Sequence, residues 1–404
     1  MRPALFALVC FFWMPLHCHA ANELTVISFA RADQQALTKA YYEPFQAQTG
    51  IEVRSFSYDG QMTELEQMVR NGRPDWDVMQ VESRALQLGC EQGLFEKLDA
   101  RRIAGRGDLI DGAMSECGVG IFAWAMALAY DARKLASEPT SWADLWDLKK
   151  YPGKRGLRRS AKYTLEIALL ADGVAPEDIY KVLATPQGVD RAFRKLDRIK
   201  SDILWWEAAP QPGLYLANGN LVMTSTYTLW VDSAFRTDRY VRLAWDESLY
   251  DVDSWAIPKG SPRLTDAYRF LSFASLPEQQ KVLSDALGYG PTNRRAVALI
   301  DAKRADSIPS ADRNLRHALK VDAVFWIRNG DGLEKRFDSW APPICRQQTD
   351  EDEEYQDQPV CQDAYGNLRS TPGGASGKND RAADGPRDAS STAPRRGQEA
   401  SAAG

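Results

Sequence analysis

Short apolar runs alternate with amphipathic stretches through the first part of the chain. Glu23–Ala30, Ile51–Tyr58 and Asp75–Val81 are mostly apolar or alternate between apolar and polar residues, which is typical of strands. Amphipathic segments follow these runs, and the first of them ends at Gly50, a residue type that commonly terminates helices. Strands that alternate with helices predict an α/β fold, with a parallel sheet covered on both faces.

Ligands of open α/β sheets bind beyond the carboxyl ends of the strands. Arg31, Asp59 and Glu82 each follow one of the three predicted strands. The pattern therefore places these three side chains near a single crevice.

A second region of predicted elements extends from about residue 130 to residue 245. It contains helices within Thr140–Asp147 and Tyr163–Asp172, and a strand, a helix and a strand within Ile203–Tyr227. A helix within Asp322–Ala341 is predicted to close the ordered part of the chain. The regular pattern thus continues for more than 300 residues, enough for two or three domains.

Leu249–Pro262 begins as a predicted strand that carries two carboxylates, Asp251 and Asp253. Side chains two residues apart in a strand point to the same face, so the two acids should repel each other. Water, an arginine or a bound cation could compensate them, and the sequence leaves all three open.

The two ends of the chain depart from this pattern. Arg2 precedes a 13-residue apolar run, Ala4–Leu16, and small residues then allow cleavage after Ala20. The run is too short to cross a bilayer, so we expect residues 1–20 to be a signal peptide that exports the protein to the periplasm. Residues 345–404 begin with an acidic run and continue with Ser, Gly, Ala, Asp and Arg, which predicts a disordered tail.

Four cysteines remain after signal removal, and an even number in an oxidising compartment indicates disulfides. Proximity in sequence favours Cys90–Cys117 and Cys345–Cys361, although three connectivities are formally open. Free buried thiols are the alternative. A zinc site is disfavoured because the chain has no CxxC spacing and only His317 survives signal removal.

Charge and motifs exclude several classes of function. The net charge is −5 without a dominant basic face, which argues against nucleic-acid binding. No phosphate-binding loop is present, and one polar-face histidine does not make a catalytic triad. Asp251 and Asp253 lie too close together on one strand for glycoside hydrolysis. We therefore expect no enzyme activity, no metal and no cofactor.

The sequence resembles the periplasmic spermidine/putrescine-binding proteins of ABC importers, within the wider class of extracellular solute-binding proteins. The resemblance covers roughly residues 23–341. The segments that carry it, in order, are "FQAQTGIEV", "DWDVMQV", "LGCEQGLFEKLD", "SECGVGIFAWAMALAYD", "PTSWADLWD", "WWEAAPQPGLYLANGNLVM", "DVDSWAIPKGSP" and "LGYGPTNRRA".

This resemblance implies a two-lobed periplasmic binding protein of type II, with two crossovers between the lobes near residues 128 and 250. Residues 21–128 and 251–310 would form lobe 1, residues 129–250 lobe 2, and residues 311–344 C-terminal helices. A monomer would capture a small amine by closing its lobes and deliver it to an ABC permease and ATPase at the inner membrane. The resemblance also implies the Cys90–Cys117 disulfide.

The resemblance implies site residues as well. Asp253 matches an aspartate that grips an amine, and Tyr289 matches a cleft tyrosine. At four other positions expected to contact the ligand, the chain departs from the polyamine-binding pattern: Arg31, Tyr163, Tyr227 and Asp251. Glu82, from the predicted crevice, is a further expected ligand-binding residue.

Arg31 and Glu82 would place both signs of charge in the cleft. The sequence therefore predicts either a polyamine or related small amine, or a zwitterion such as an amino-acid derivative or a γ-aminobutyrate-like compound. In the zwitterion an arginine would meet the carboxylate and Asp253 the amine. Asp251 facing solvent or pairing with an arginine, and Arg31 in a structural role, are the alternatives at these positions. An exported enzyme on the same fold, or an adaptor that docks through its tail, are the more remote functions.

Overall fold

The computed structural model describes residues 22–29, 34–235, 240–342, 344–346, 360–362 and 368–369. The predicted signal peptide and Arg31 lie outside these residues, as does most of the predicted disordered tail. The described residues up to Ala341 belong to one compact unit, and those from Pro342 onward belong to a second.

Ten strands in the described part of the first unit form one mixed sheet. They are β1 (Glu23–Phe29), β2 (Glu52–Tyr58), β3 (Val78–Val81), β4 (Gly118–Asp131), β5 (Arg155–Arg158), β6 (Ile203–Trp206), β7 (Met223–Tyr227), β8 (Val241–Ala256), β9 (Gly290–Pro291) and β10 (Leu319–Lys320). Their order is β2-β1-β3-β8-β4-β7-β5-β6, with β10 beside β8 and β9 beside β4. The pairs β1/β2, β1/β3, β5/β6, β5/β7 and β8/β10 are parallel, whereas β4 and β8 are antiparallel to their neighbours in the main order.

Helices cover this sheet. They are α1 (Gln34–Leu37), α2 (Glu43–Thr49), α3 (Thr63–Arg70), α4 (Ser83–Glu91), α5 (Trp142–Trp146), α6 (Ala161–Ala171), α7 (Ile179–Leu183), α8 (Pro186–Asp197), α9 (Gln211–Ala217), α10 (Thr228–Phe235), α11 (Leu264–Ala274), α12 (Pro277–Leu287), α13 (Arg294–Val297), α14 (Ala302–Ala305), α15 (Asp312–Leu315) and α16 (Ala323–Trp340). The first two are joined by a π-helical turn, Thr38–Tyr42. No described helix is long and apolar enough to span a membrane.

The long strands β4 and β8 connect two hydrophobic cores. Val119 and Val252, near one end of the ribbon, belong to a core that β1, α2 and α11 also build. Leu128 and Leu249, further along, belong to a core that α6, α8 and α16 build. Trp124 lies between them and packs against both. The α/β fold is therefore two-lobed, and the chain passes between the lobes along both strands.

The pattern predicted most elements of the first unit. The predicted strand, helix and strand within residues 203–227 are β6, α9 and β7, and the predicted C-terminal helix is α16. Helix α5 begins with a capping box in which Ser141 and Asp144 bond each other's backbone. A disulfide joins Cys90 in α4 to Cys117, the residue before β4, as expected.

The second unit contains three short antiparallel strands in its described residues. They are β11 (Ile344–Arg346), β12 (Val360–Gln362) and β13 (Leu368–Arg369), in a segment from which the composition predicts disorder. Cys345 lies opposite Cys361 in the backbone register. The Cys345–Cys361 disulfide stays a prediction, because the side chains of these two cysteines lie outside the described part of the structure.

Candidate functional site

Two described side chains donate hydrogen bonds to Asp253 at the centre of the sheet. It lies on β8 opposite Phe122 of β4, with 3% of its surface exposed. Gln80 Nε2 donates to Asp253 Oδ2 at 3.1 Å, and Trp124 Nε1 donates to Oδ1 at 3.2 Å. Gln80 Oε1 accepts the backbone N–H of Phe29 at 3.3 Å, which fixes the orientation of the amide. Each oxygen of the carboxylate thus accepts a hydrogen bond from a different side chain.

Three aromatic rings pack edge to face beside this carboxylate. The centroid of Trp124 lies 6.1 Å from that of Tyr163 and 5.5 Å from that of Tyr227, and the two tyrosine rings are 6.3 Å apart. The ring centroid of Trp206 lies 6.1 Å from that of Tyr227. Ring faces attract organic cations, so this cluster and Asp253 together offer a site for an ammonium group.

Tyr163 adopts a backbone conformation that is rare for its residue type. Its φ is +77°, in the left-handed region, and regular helical geometry in α6 begins only after it. Such strain persists only where surrounding contacts enforce it, and it concentrates at functional sites. Burial raises the pKa of the Tyr163 hydroxyl well above its usual value, so the side chain is a neutral phenol.

Asp251 is buried and compensated by uncharged donors. Ser83 Oγ, at the start of α4, donates to Asp251 Oδ2 at 2.5 Å, and the amide of Val252 donates to Oδ1 at 2.8 Å. The expected alternatives, exposure to solvent or pairing with a nearby arginine, are both wrong, because only 3% of Asp251 is exposed and its described partners are a hydroxyl and an amide. Burial raises the pKa of Asp251, and Ser83 and Val252 oppose that shift.

Two cations border the ring of Tyr163. The guanidinium carbon of Arg158 lies 5.4 Å from the ring centroid, and Nζ of Lys162 lies 5.1 Å from it. The positive charge of Lys162 also opposes the rise in the pKa of Asp251 that burial causes. Both signs of charge therefore surround the aromatic cluster.

The structure brings together Tyr163, Tyr227, Asp251 and Asp253 from the predicted set. Tyr289 stacks on Phe122, the residue opposite Asp253, with ring centroids 3.9 Å apart. Glu82 is exposed, at the residue before α4. These positions describe geometry only, and ligand contact stays a prediction for each residue.

Gln80, Ser83 and Trp124 contact the two carboxylates but were not predicted as site residues. Gln80 and Ser83 lie within two residues of Glu82, which was predicted to border the crevice. Their position near the end of β3 could therefore have identified them as candidates. Trp124 could not be identified from the sequence in this way. Its position opposite Asp251 depends on the register between β4 and β8, which are far apart in sequence.

The sequence is similar to proteins of a known family. A sequence profile described as bacterial extracellular solute-binding protein matches residues 40–309. The γ-aminobutyric acid-binding protein of Pseudomonas aeruginosa PAO1 is 47% identical over 321 residues, which cover 80% of this chain and 91% of that protein. These relatives are described as binding proteins rather than enzymes.

Solved structures agree with this family. The Atu4243 GABA receptor is 30% identical with a TM-score of 0.69, and the match covers 81% of this chain and all of that one. An ABC transporter substrate-binding protein from Bradyrhizobium japonicum USDA 110 is 33% identical with a TM-score of 0.69, and the match covers 79% of this chain and 99% of that one.

Proposed function

Because the chain belongs to the bacterial extracellular solute-binding protein family, we propose that it captures a small ω-amino acid of the γ-aminobutyrate type and delivers it to an ABC importer. The chain is the solute-binding component of that importer. The relatives that are described as binding γ-aminobutyrate support this ligand class.

The observation that carries the proposal is the arrangement of charges around the aromatic cluster. Asp253 offers a fixed carboxylate, and the rings of Trp124, Tyr163 and Tyr227 lie beside it. Arg158 and Lys162 stand at the Tyr163 ring. A ligand with charges of opposite sign at its two ends fits this arrangement, whereas a polyamine would bring a second cation toward these two.

Capture would follow from the ligand bridging the two lobes. The ammonium group would bind Asp253 and the ring faces, and the carboxylate would bind a cation, with Arg31 as a further candidate. Residues 21–128 and 251–310 would form one lobe and residues 129–250 the other, and closure would exclude water from the ligand. A signal peptide at residues 1–20 would place the protein in the periplasm, where it would meet its permease as a monomer.

A thermal-shift panel on the chain from residue 21 onward tests the proposal. γ-Aminobutyrate should raise the melting temperature at concentrations where butylamine and butyrate, each with one of the two charges, do not. Stabilisation by putrescine or spermidine but not by γ-aminobutyrate would contradict the proposal and favour the hypothesis that the protein binds a polyamine. Chromatography of the bound compound after release should recover it unaltered, since the protein is proposed to transport and not to transform it.

A further inference from the structure

The turn that presents Tyr163 to the aromatic cluster has an unusual set of supports. It consists of Ser160, Ala161, Lys162 and Tyr163, and it lies between β5 and the regular part of α6. Lys162 and Tyr163 both have non-helical backbone angles. Since a left-handed tyrosine costs about 1–3 kcal/mol, neighbouring groups must hold this turn in place.

Glu334 holds the first part of the turn. Its Oε1 accepts the hydroxyl of Ser160 at 2.7 Å and the amide of Lys162 at 3.1 Å, and its Oε2 accepts the amide of Ala161 at 2.8 Å. Glu334 lies in α16, which follows the residues that the family profile matches. The C-terminal helix therefore supplies the acceptors that an ordinary helix start takes from its own capping residue.

Glu166 holds the last residue of the turn. Its Oε2 accepts the amide of Tyr163 at 2.8 Å, the bond that fixes the left-handed residue. Its Oε1 accepts Trp326 Nε1 at 2.7 Å and the hydroxyl of Tyr180 at 3.2 Å. Glu166 is fully buried, and Trp326 comes from α16. Glu334 thus holds the first residues of the turn and Glu166 holds Tyr163, and α16 supplies both Glu334 and the Trp326 partner of Glu166.

We propose that Glu166 and Glu334 are positioning residues of the ligand site, and that they act by holding the Ser160–Tyr163 turn so that the Tyr163 ring completes the aromatic cluster. This inference rests on the proposed function, because it takes that cluster as the surface that receives the ligand. It makes α16 a part of the binding site although no residue of α16 belongs to the cluster.

Glu166→Gln separates positioning from general support. The amide oxygen of glutamine can still accept Trp326 and Tyr180, but its NH₂ group then faces the Tyr163 amide, donor against donor. The dissociation constant for γ-aminobutyrate should rise roughly 10- to 100-fold, as expected when a buried amide loses its acceptor. Glu334→Gln should act in the same direction, because one glutamine oxygen cannot accept all three donors.

A double-mutant cycle shows whether Glu166 acts through Tyr163. In a Tyr163→Ala background, Glu166→Gln should change the dissociation constant by less than about threefold, because the residue that it positions is gone. A loss in that background as large as in the wild type would overturn the proposal, since it would mean that Glu166 acts through the lobe as a whole. Glu177→Gln, an exposed carboxylate in the same lobe, is the matched control and should leave the affinity unchanged.

A second measurement needs no ligand and therefore separates this proposal from the proposed function. NMR of isotope-labelled tyrosine amides, with Tyr163 assigned by Tyr163→Phe, should show the Tyr163 amide moving in both glutamine variants. In the wild type the chemical shift of the Tyr163 amide should change with pH as Glu166 titrates. The other titratable groups near Glu166 are Lys162, Tyr163 and Tyr180. Failure of the wild type to bind γ-aminobutyrate would refute the proposed ligand only. An unmoved Tyr163 amide in both variants would refute the positioning role.

Discussion

Asp253→Asn is the substitution that bears most directly on ligand capture. Asparagine has nearly the same size as aspartate, so the change removes the charge and one of two acceptor oxygens without opening a cavity. In the wild type each oxygen has its own donor, Gln80 on one side and Trp124 on the other. Asparagine can accept only one of them, and its NH₂ group faces the other.

The expected loss of affinity is large because the site is buried. Only 3% of Asp253 is exposed, so a bound ammonium group would lose its counter-charge where water cannot replace it. Removing one partner of a buried charge pair costs about 2–5 kcal/mol, and each 1.4 kcal/mol is roughly tenfold in the dissociation constant. We therefore expect the dissociation constant for γ-aminobutyrate to rise by about 30-fold or more.

Isothermal titration calorimetry of the folded variant measures this change, and circular dichroism checks that the variant folds. Asp75→Asn, an exposed aspartate in the same lobe, is the control and should bind as the wild type does. A dissociation constant within about threefold of the wild-type value, in a folded Asp253→Asn protein, would show that the amine does not bind this carboxylate.

Three further predictions concern stability. Arg155 is fully buried and donates to four main-chain carbonyls, so Arg155→Met should lower the free energy of unfolding by about 3 kcal/mol or more in urea denaturation, and an unchanged midpoint would contradict this. Reduction of the Cys90–Cys117 disulfide, whose cysteines are 27 residues apart, should lower it by roughly 3–4 kcal/mol, measured with and without reductant; equal midpoints would show that the bond does not support the native state. Burial raises the pKa of Glu166 from 4.5 to about 7, so the native state retains a proton that the unfolded chain releases between these values. The stability of the wild type relative to Glu166→Gln should therefore fall by about 3 kcal/mol as the pH rises through this window, and a difference independent of pH would refute the shift.

The hydrophobic pattern predicted the elements better than it predicted the contacts between them. Segments such as β1 and α16 are predictable because the spacing of apolar residues within each segment indicates a strand or a helix. Asp251 and Asp253 share a face because side chains two residues apart in a strand point the same way. Trp124 could not be placed in the same way. It meets Asp253 only because β8 pairs with β4 in one particular register, and no local signal states that register.

Conformation within an element was equally hidden from the pattern. The predicted helix starting at Tyr163 is present, but Tyr163 and Lys162 before it leave helical geometry, and the carboxylates of Glu166 and Glu334 accept their amides. Water or an arginine was expected to compensate Asp251, yet the carboxylate is buried and its described hydrogen-bond partners are a hydroxyl and its neighbour's amide. Side chains that are distant in sequence decided both outcomes.

The central claim is that the site receives a ligand with an ammonium group at one end and a carboxylate at the other. Isothermal titration calorimetry of γ-aminobutyrate and putrescine, on the same preparation, tests it most directly, since the two compounds share a four-carbon chain and an amine and differ in the charge of the second group. We predict one γ-aminobutyrate per chain, bound about 100-fold more tightly than putrescine, a difference of roughly 2.7 kcal/mol. Tighter binding of putrescine would contradict the account.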